Sequence, residues 1–232
     1  MSSRSATVIC RKVSRAVGGG VSGGEDVTGT AHLIAAVLIA VIRGEERSVG
    51  ECKDRSVSVI TAFDALALPV TLDPPAGPVQ LRFATVDDIE SILELLADDP
   101  VSASRGDTAS PDDRAAYEAA FHAIDADPAN ALLVVAAPRG DVIATMQLTV
   151  IPGMARVGAT RLQVEAVRVS SDLRSGGIGG AMMRWVTEVA APQLGTSLVQ
   201  LTSDEARIDA HRFYTRLGFV PSHQGFKFTV PD

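Results

Sequence analysis

Val167-Arg168-Val169-Ser170-Ser171-Asp172-Leu173-Arg174-Ser175-Gly176-Gly177-Ile178-Gly179-Gly180-Ala181-Met182 is the stretch on which the fold turns. An apolar, β-branched run (Val164, Val167, Val169) feeds a polar turn, the turn becomes glycine-rich, and a helical pattern begins at once. This order predicts a strand, a loop of exposed backbone N–H groups and a helix N-terminus. The first N–H groups of a helix have no partner inside the helix, and its dipole favours negative charge, so the arrangement suits an anion. Glycines let the main chain approach a phosphate without a Cβ in the way. Arg174 adds a permanent positive charge with a forked donor geometry that matches phosphate.

The ligand class can be narrowed. No Gly-Lys-Ser/Thr follows the glycines, so the loop is not a Walker P-loop. Gly177-x-Gly179 lacks the third glycine of a dinucleotide fingerprint. The acid that a dehydrogenase wants about 20 residues further on is replaced by a helix exit at Pro192 and Gly195.

Arg174, Gly177 and Gly179 spell Arg-x-x-Gly-x-Gly. A second segment, Ala206-Arg207-Ile208-Asp209-Ala210-His211-Arg212-Phe213-Tyr214-Thr215-Arg216-Leu217-Gly218-Phe219, follows one further strand-like run, Ser197–Leu201. The two motifs, in this order, resemble the signatures of the GNAT superfamily of N-acetyltransferases, which bind acetyl-CoA. The resemblance covers residues 79–232. It implies the α/β GNAT (acyl-CoA N-acyltransferase) fold, a mixed central sheet flanked by helices. The predicted order is β-α-α-β-β-β-α-β-α-β, running from Val79–Phe83 to Phe226–Val230.

The resemblance also assigns roles. Arg174, Ser175, Gly176, Gly177, Ile178, Gly179 and Gly180 would hold the pyrophosphate of acetyl-CoA. The pantetheine arm would lie along Val167-Arg168-Val169 like an added strand, with a main-chain N–H polarising the thioester carbonyl. Tyr214 is the candidate acid. A phenol is protonated at neutral pH and can protonate a departing thiolate. It lies one residue off the apolar stripe Ala206, Ala210, Phe213, Leu217, which assigns Phe213 to the core. Glu165, a carboxylate between Val164 and Ala166 in a strand, is the candidate base; burial would raise its pKa and make it usable. Asp204 reads as a cap for the following helix, and Ser203-Asp204 stand where the family often has an asparagine.

Composition sets further bounds. The chain has 232 residues and a formal charge of −7. It lacks the bulk basic surface that nucleic acid requires. Cys10 and Cys52 form no ligand pattern, the four histidines are scattered, and no metal is expected. The stretch 87–127 holds twelve acids against Arg105 and Arg114. Asp98, Asp99, Asp112 and Asp113 belong to it and would steer a cationic primary amine towards the site.

Residues 1–78 read as an N-terminal extension, disordered or spurious. They contain the linker-like Gly18–Gly24 and a short apolar run, Ala31–Ile42. That run is too short for a membrane span, which needs about 20 residues, and it lacks the flanks of a secretory signal. No methionine occurs between Met1 and Met146, so a valine-coded start near Val70 or Val79 is a further expectation. The proline-rich Leu68–Pro78 would then be a stiff boundary. The resulting expectation is a cytoplasmic acetyl-CoA-dependent N-acetyltransferase acting on a small-molecule or peptide amine, with no membrane partner and room for a homodimer. A non-catalytic acetyl-CoA sensor and a transferase for longer acyl groups are the alternatives.

Overall fold

The computed structural model describes residues 62–231. The expectations for the preceding extension therefore lie outside the described residues, except for its last part, which is folded. Ala62–Ala65 form a 3-10 turn, and β1 (Val70–Leu72) pairs antiparallel with β2 (Val79–Phe83), Leu72 opposite Val79. Phe63, Leu66 and Leu72 are buried in the main core. The sheet thus begins nine residues before Val79, in the segment expected to be a stiff boundary. Pro69, Pro74, Pro75 and Pro78 bracket the three-residue strand and hide it from any reading by alternation.

The chain continues through α1 (Ile89–Ala97), a single helical turn at Pro100–Ala103, and α2 (Arg114–Asp125). Next come β3 (Asn130–Ala136), β4 (Val142–Ile151) and β5 (Arg161–Val169), then α3 (Ile178–Trp185), β6 (Leu198–Leu201) and α4 (Ile208–Arg216). The six strands form one sheet in the order β1-β2-β3-β4-β5-β6. All neighbours are antiparallel except β5 and β6, which are parallel.

Both faces of the sheet are covered, which explains why β3 and β4 read as nearly continuous apolar runs. On one face Leu133, Val135, Met146, Leu148, Leu162 and Val164 pack with Ile178, Met182, Met183 and Trp185 of α3. On the other, Ile89 and Leu93 of α1 and Phe121 of α2 form a second cluster that takes in Leu132. Burying each large side chain of this kind contributes roughly 1.5–3 kcal/mol. α1 is launched by Thr85 and Asp88. The Asp88 carboxylate accepts the Thr85 backbone N–H at 2.7 Å and a fork from Arg82 at 2.7 and 2.8 Å.

Two expectations change. The helical spacing of Ile178, Met182, Trp185 and Val189 predicts one buried stripe; the first three are buried, but Val189 is exposed while Val186 and Ala190 are buried. α3 passes into a π-helical turn at Val186–Ala190, and the wider turn rotates the later residues off the 3.6-residue stripe. The final strand expected at Phe226–Val230 is not formed. Phe226, Phe228 and Val230 alternate as strand residues do, yet they are 89%, 85% and 78% exposed. Alternation supplies two faces, but a strand also needs a neighbouring edge to pair with.

Candidate active site

The site begins where β5 and β6 part. Their parallel pairing covers only Arg161–Val164 against Leu198–Leu201. From Glu165 to Val169, β5 has β4 on one side and no strand on the other. Main-chain groups on this free edge are available to an extended ligand. A β-bulge lies at the divergence: Gln147 faces Glu165 and Thr145 faces Arg168, so Ala166 and Val167 together oppose Met146. Ala166 takes φ +51°, a left-handed conformation that costs a non-glycine residue on the order of 1–3 kcal/mol. The bulge turns the local amides away from the regular ladder. Val167 and Val169 are half-buried and pack their side chains on the core, leaving the main chain to the edge.

Beyond Val169, a turn at Ser171–Leu173 leads through Arg174 to α3. Ser175 (φ +70°) and Gly177 (φ +83°) both have left-handed backbone, and the first N–H groups of α3 point out of the helix end. Arg174 is half exposed, reaches back towards the Val169 carbonyl at 3.4 Å and lies 3.5 Å from the Asp98 carboxylate. It remains free to turn towards an anion. The donor set suits a pyrophosphate. The glycines, however, also serve the protein. A Cβ at Gly177 would lie 2.4 Å from Pro75 Cδ, and one at Gly176 would lie 3.0 Å from Ala76 Cβ. The β1–β2 turn rests on the loop there, and the Ala76 N–H donates to the Gly176 carbonyl at 3.0 Å. Gly179 lets Phe213 approach, since a Cβ there would stand 3.4 Å from the ring.

Tyr214 stacks edge-on against Phe213 and Phe219, at 5.0 and 5.8 Å between centroids. Its hydroxyl makes no hydrogen bond among the described residues. Burial lifts its pKa above the ordinary phenol value, while the nearby Arg168 and Arg207 guanidinium groups pull the other way without cancelling the rise. Glu165 is exposed, contrary to the burial expected of a carboxylate inside a strand. The strand's free edge begins at this residue, so its carboxylate meets solvent. His211 does not bond Tyr214; its Nε2 lies 2.8 Å from the Asp204 carbonyl. Asp204 accepts the Ala206 N–H at 2.9 Å and an ion pair from Arg105, one turn ahead of α4 rather than at its cap. Trp185 is core, as expected.

Sequence reasoning missed a polar cluster beside Tyr214. Arg207 grips Asp99 with both arms of its fork, at 2.6 and 2.6 Å, and Asp99 also accepts the Ser102 N–H at 2.9 Å. Arg168 donates to the Val167 carbonyl at 2.8 Å and to Ser102 Oγ. The available signal was a charge between two valines, Val167-Arg168-Val169. Of the acids expected to steer a cation, Asp99 is thus engaged, and Asp98 accepts the Ser171 N–H at 2.7 Å. Asp112 and Asp113 are exposed just before α2.

A parted parallel pair, a bulged free edge and a glycine-rich helix N-terminus lie together at one end of this mixed α/β sheet. The chain belongs to the Acetyltransferase (GNAT) family, whose profile matches residues 89–219. It is 37% identical over 67 residues to an aminoalkylphosphonate N-acetyltransferase of Salmonella typhimurium, covering 29% of this chain. The match spans only 42% of that relative's length. Among solved structures it resembles a transcriptional regulator from Bacillus halodurans C-125, with TM-score 0.62 and 36% identity over 66% of this chain and 99% of that one. It also resembles an Agrobacterium tumefaciens C58 protein provisionally named an acetyltransferase, with TM-score 0.55 and 27% identity over 65% and 99% of the two chains. Among the described residues, no helix is long and apolar enough to cross a membrane, and no group of three or more His, Cys, Asp or Glu could hold a metal ion.

Proposed function

We propose that this chain transfers the acetyl group of acetyl-CoA to a primary amine by direct attack in a ternary complex. Acetyl-CoA supplies the activated acyl group as a thioester. The residues of the chain hold it, place the amine and move two protons. Arg174 and the N–H groups from Ser175 to Gly180 take the phosphates, and the free edge at Val167 and Val169 takes the extended arm. The amine nitrogen forms the new C–N bond as the C–S bond breaks. Tyr214 O–H gives its proton to the departing sulfur, and Glu165, directly or through water, takes the proton the amine loses. A later exchange with solvent returns both groups to their starting states. The observation that most supports this reading is an unengaged phenol, raised in pKa and therefore protonated, beside a strand edge left unpaired.

The test uses the full chain, acetyl-CoA and a panel of primary amines, with free thiol followed over time. Amine-dependent thiol release is expected. Tyr214→Phe should lower kcat by about 10²-fold or more while acetyl-CoA still binds, the range general acids contribute. The resemblance to a transcriptional regulator favours one second reading, a non-catalytic acetyl-CoA sensor. Tight acetyl-CoA binding with no release for any amine would select it and sink the transferase proposal.

A further inference from the structure

We infer that the amine acceptor carries an acidic group, held by Arg168 beside Tyr214. This rests on the transferase reading above and names its substrate class: an amino acid or aminoalkyl acid rather than the cationic amine that the acidic composition suggests.

The geometry of Arg168 carries the inference. It extends from β5 at the bulge, where the sheet opens, and joins the Pro100–Ala103 turn through Ser102. Its hydrogen bonds go only to neutral oxygens, those of Val167 and Ser102, and its Nε is buried with no partner. Arg168 is half-buried, and such a guanidinium gains from a bonded carboxylate or phosphate, the charge-assisted pairing its neutral partners do not supply. Asp99 acts on Arg168 through space, but its oxygens accept the Arg207 fork and the Ser102 N–H. Asp107 acts on Arg168 through space but accepts the Tyr117 hydroxyl at 3.0 Å. Arg105 and Asp204 pair with each other. Burial and the neighbouring Arg207 depress the Arg168 pKa, and the opposing pull of Asp99, Asp107 and Tyr214 does not cancel them. Arg168 acts on Tyr214 through space, so an anion bound to Arg168 would hold the acceptor close to the proposed acid. A planar fork suits a carboxylate or a phosphonate equally.

Two measurements on the full chain decide it. In the first, kcat/KM is compared for 3-aminopropionate, 2-aminoethylphosphonate, propylamine and 1,3-diaminopropane. At least one acid should exceed propylamine by about tenfold or more, the scale of a charge-assisted hydrogen bond. Arg168→Met should erase the advantage of the acids over propylamine, and do so through KM, and Arg168→Lys should restore part of it. Propylamine or the diamine serving as well as the acids would overturn the inference, as would an equal loss for every amine. In the second, ethylphosphonate, which has no amine, is titrated into the acetyl-CoA-saturated chain by calorimetry. Binding that disappears in Arg168→Met upholds the anion site even if no amine is acetylated, in which case the transferase reading fails alone. Absence of binding, or binding indifferent to Arg168, removes the anion site even if propylamine is acetylated.

Discussion

At the scale of single residues, the most exacting arrangement outside the cleft is Arg82–Asp88. Two arms of the guanidinium and the Thr85 N–H converge on one carboxylate whose side chain is 8% exposed. The hydrogen bond from Arg82 holds the Asp88 carboxyl below the usual aspartate range, although burial pulls the other way. A depressed folded value stabilises the fold above the unfolded aspartate pKa of about 3.9, and that contribution disappears as pH falls through the folded value. Asp88→Ala should therefore cost about 2 kcal/mol at neutral pH, the scale of a hydrogen bond to a charged group. The gap to the parent chain should close at acidic pH. Thermal melts of both proteins between pH 2 and 7 read this directly; a gap independent of pH would mean that packing, not charge, is what was lost. Residue-scale chemistry was only partly legible in the sequence. Tyr214 stood out because it left the apolar stripe of its helix. Arg168, Asp99, Ser102 and Arg207 did not, because their meeting depends on three elements converging and no local pattern encodes that.

At the scale of elements, periodicity located β4 and most of β3, β5 and α3, since long, strongly patterned segments bury the faces their patterns announce. It failed where pattern and partner diverge. β1 is too short and too closely bracketed by prolines to alternate visibly, and Phe226–Val230 alternates without an edge to join. The π-helical turn after Trp185 is likewise silent in sequence, because one extra residue per turn shifts the stripe without changing its composition. The glycine loop was legible as a loop, but only half its purpose was. Gly177 combines a left-handed φ with a wall at Pro75 Cδ. Gly177→Ala should destabilise the fold by roughly 1–3 kcal/mol through strain and overpacking together. Adding Pro75→Ala should recover the steric share and leave the backbone share. Chemical denaturation of the two single variants and the double variant isolates the coupling; strictly additive losses would show that Pro75 and Gly177 do not press on each other in solution.

At the scale of the whole molecule, one end of the sheet carries the turn between β1 and β2, the loop between β5 and α3, and the ring of Phe213 over Gly179. The loops after the first and fifth strands meet there, Pro75 against Gly177 and Ala76 against Gly176. Because Pro75 and Ala76 rest on Gly176 and Gly177, opening the first hairpin must also disorder the loop proposed to hold phosphate. Any ligand that requires the closed loop then penalises the opening by RT ln(1 + [L]/Kd), about 2.7 kcal/mol at a hundredfold excess over Kd. Hydrogen exchange of the full chain should accordingly slow across Val70–Leu72 and Val79–Phe83 when acetyl-CoA is added, and Pro75→Ala should blunt the effect. Exchange in these strands that ignores acetyl-CoA would mean that the hairpin opens independently of the loop. Slowed exchange there would make the last part of the segment before Val79, read from sequence as a disordered or spurious extension, a latch that registers occupancy: a filled cleft felt at the far edge of the sheet as a hairpin that no longer breathes.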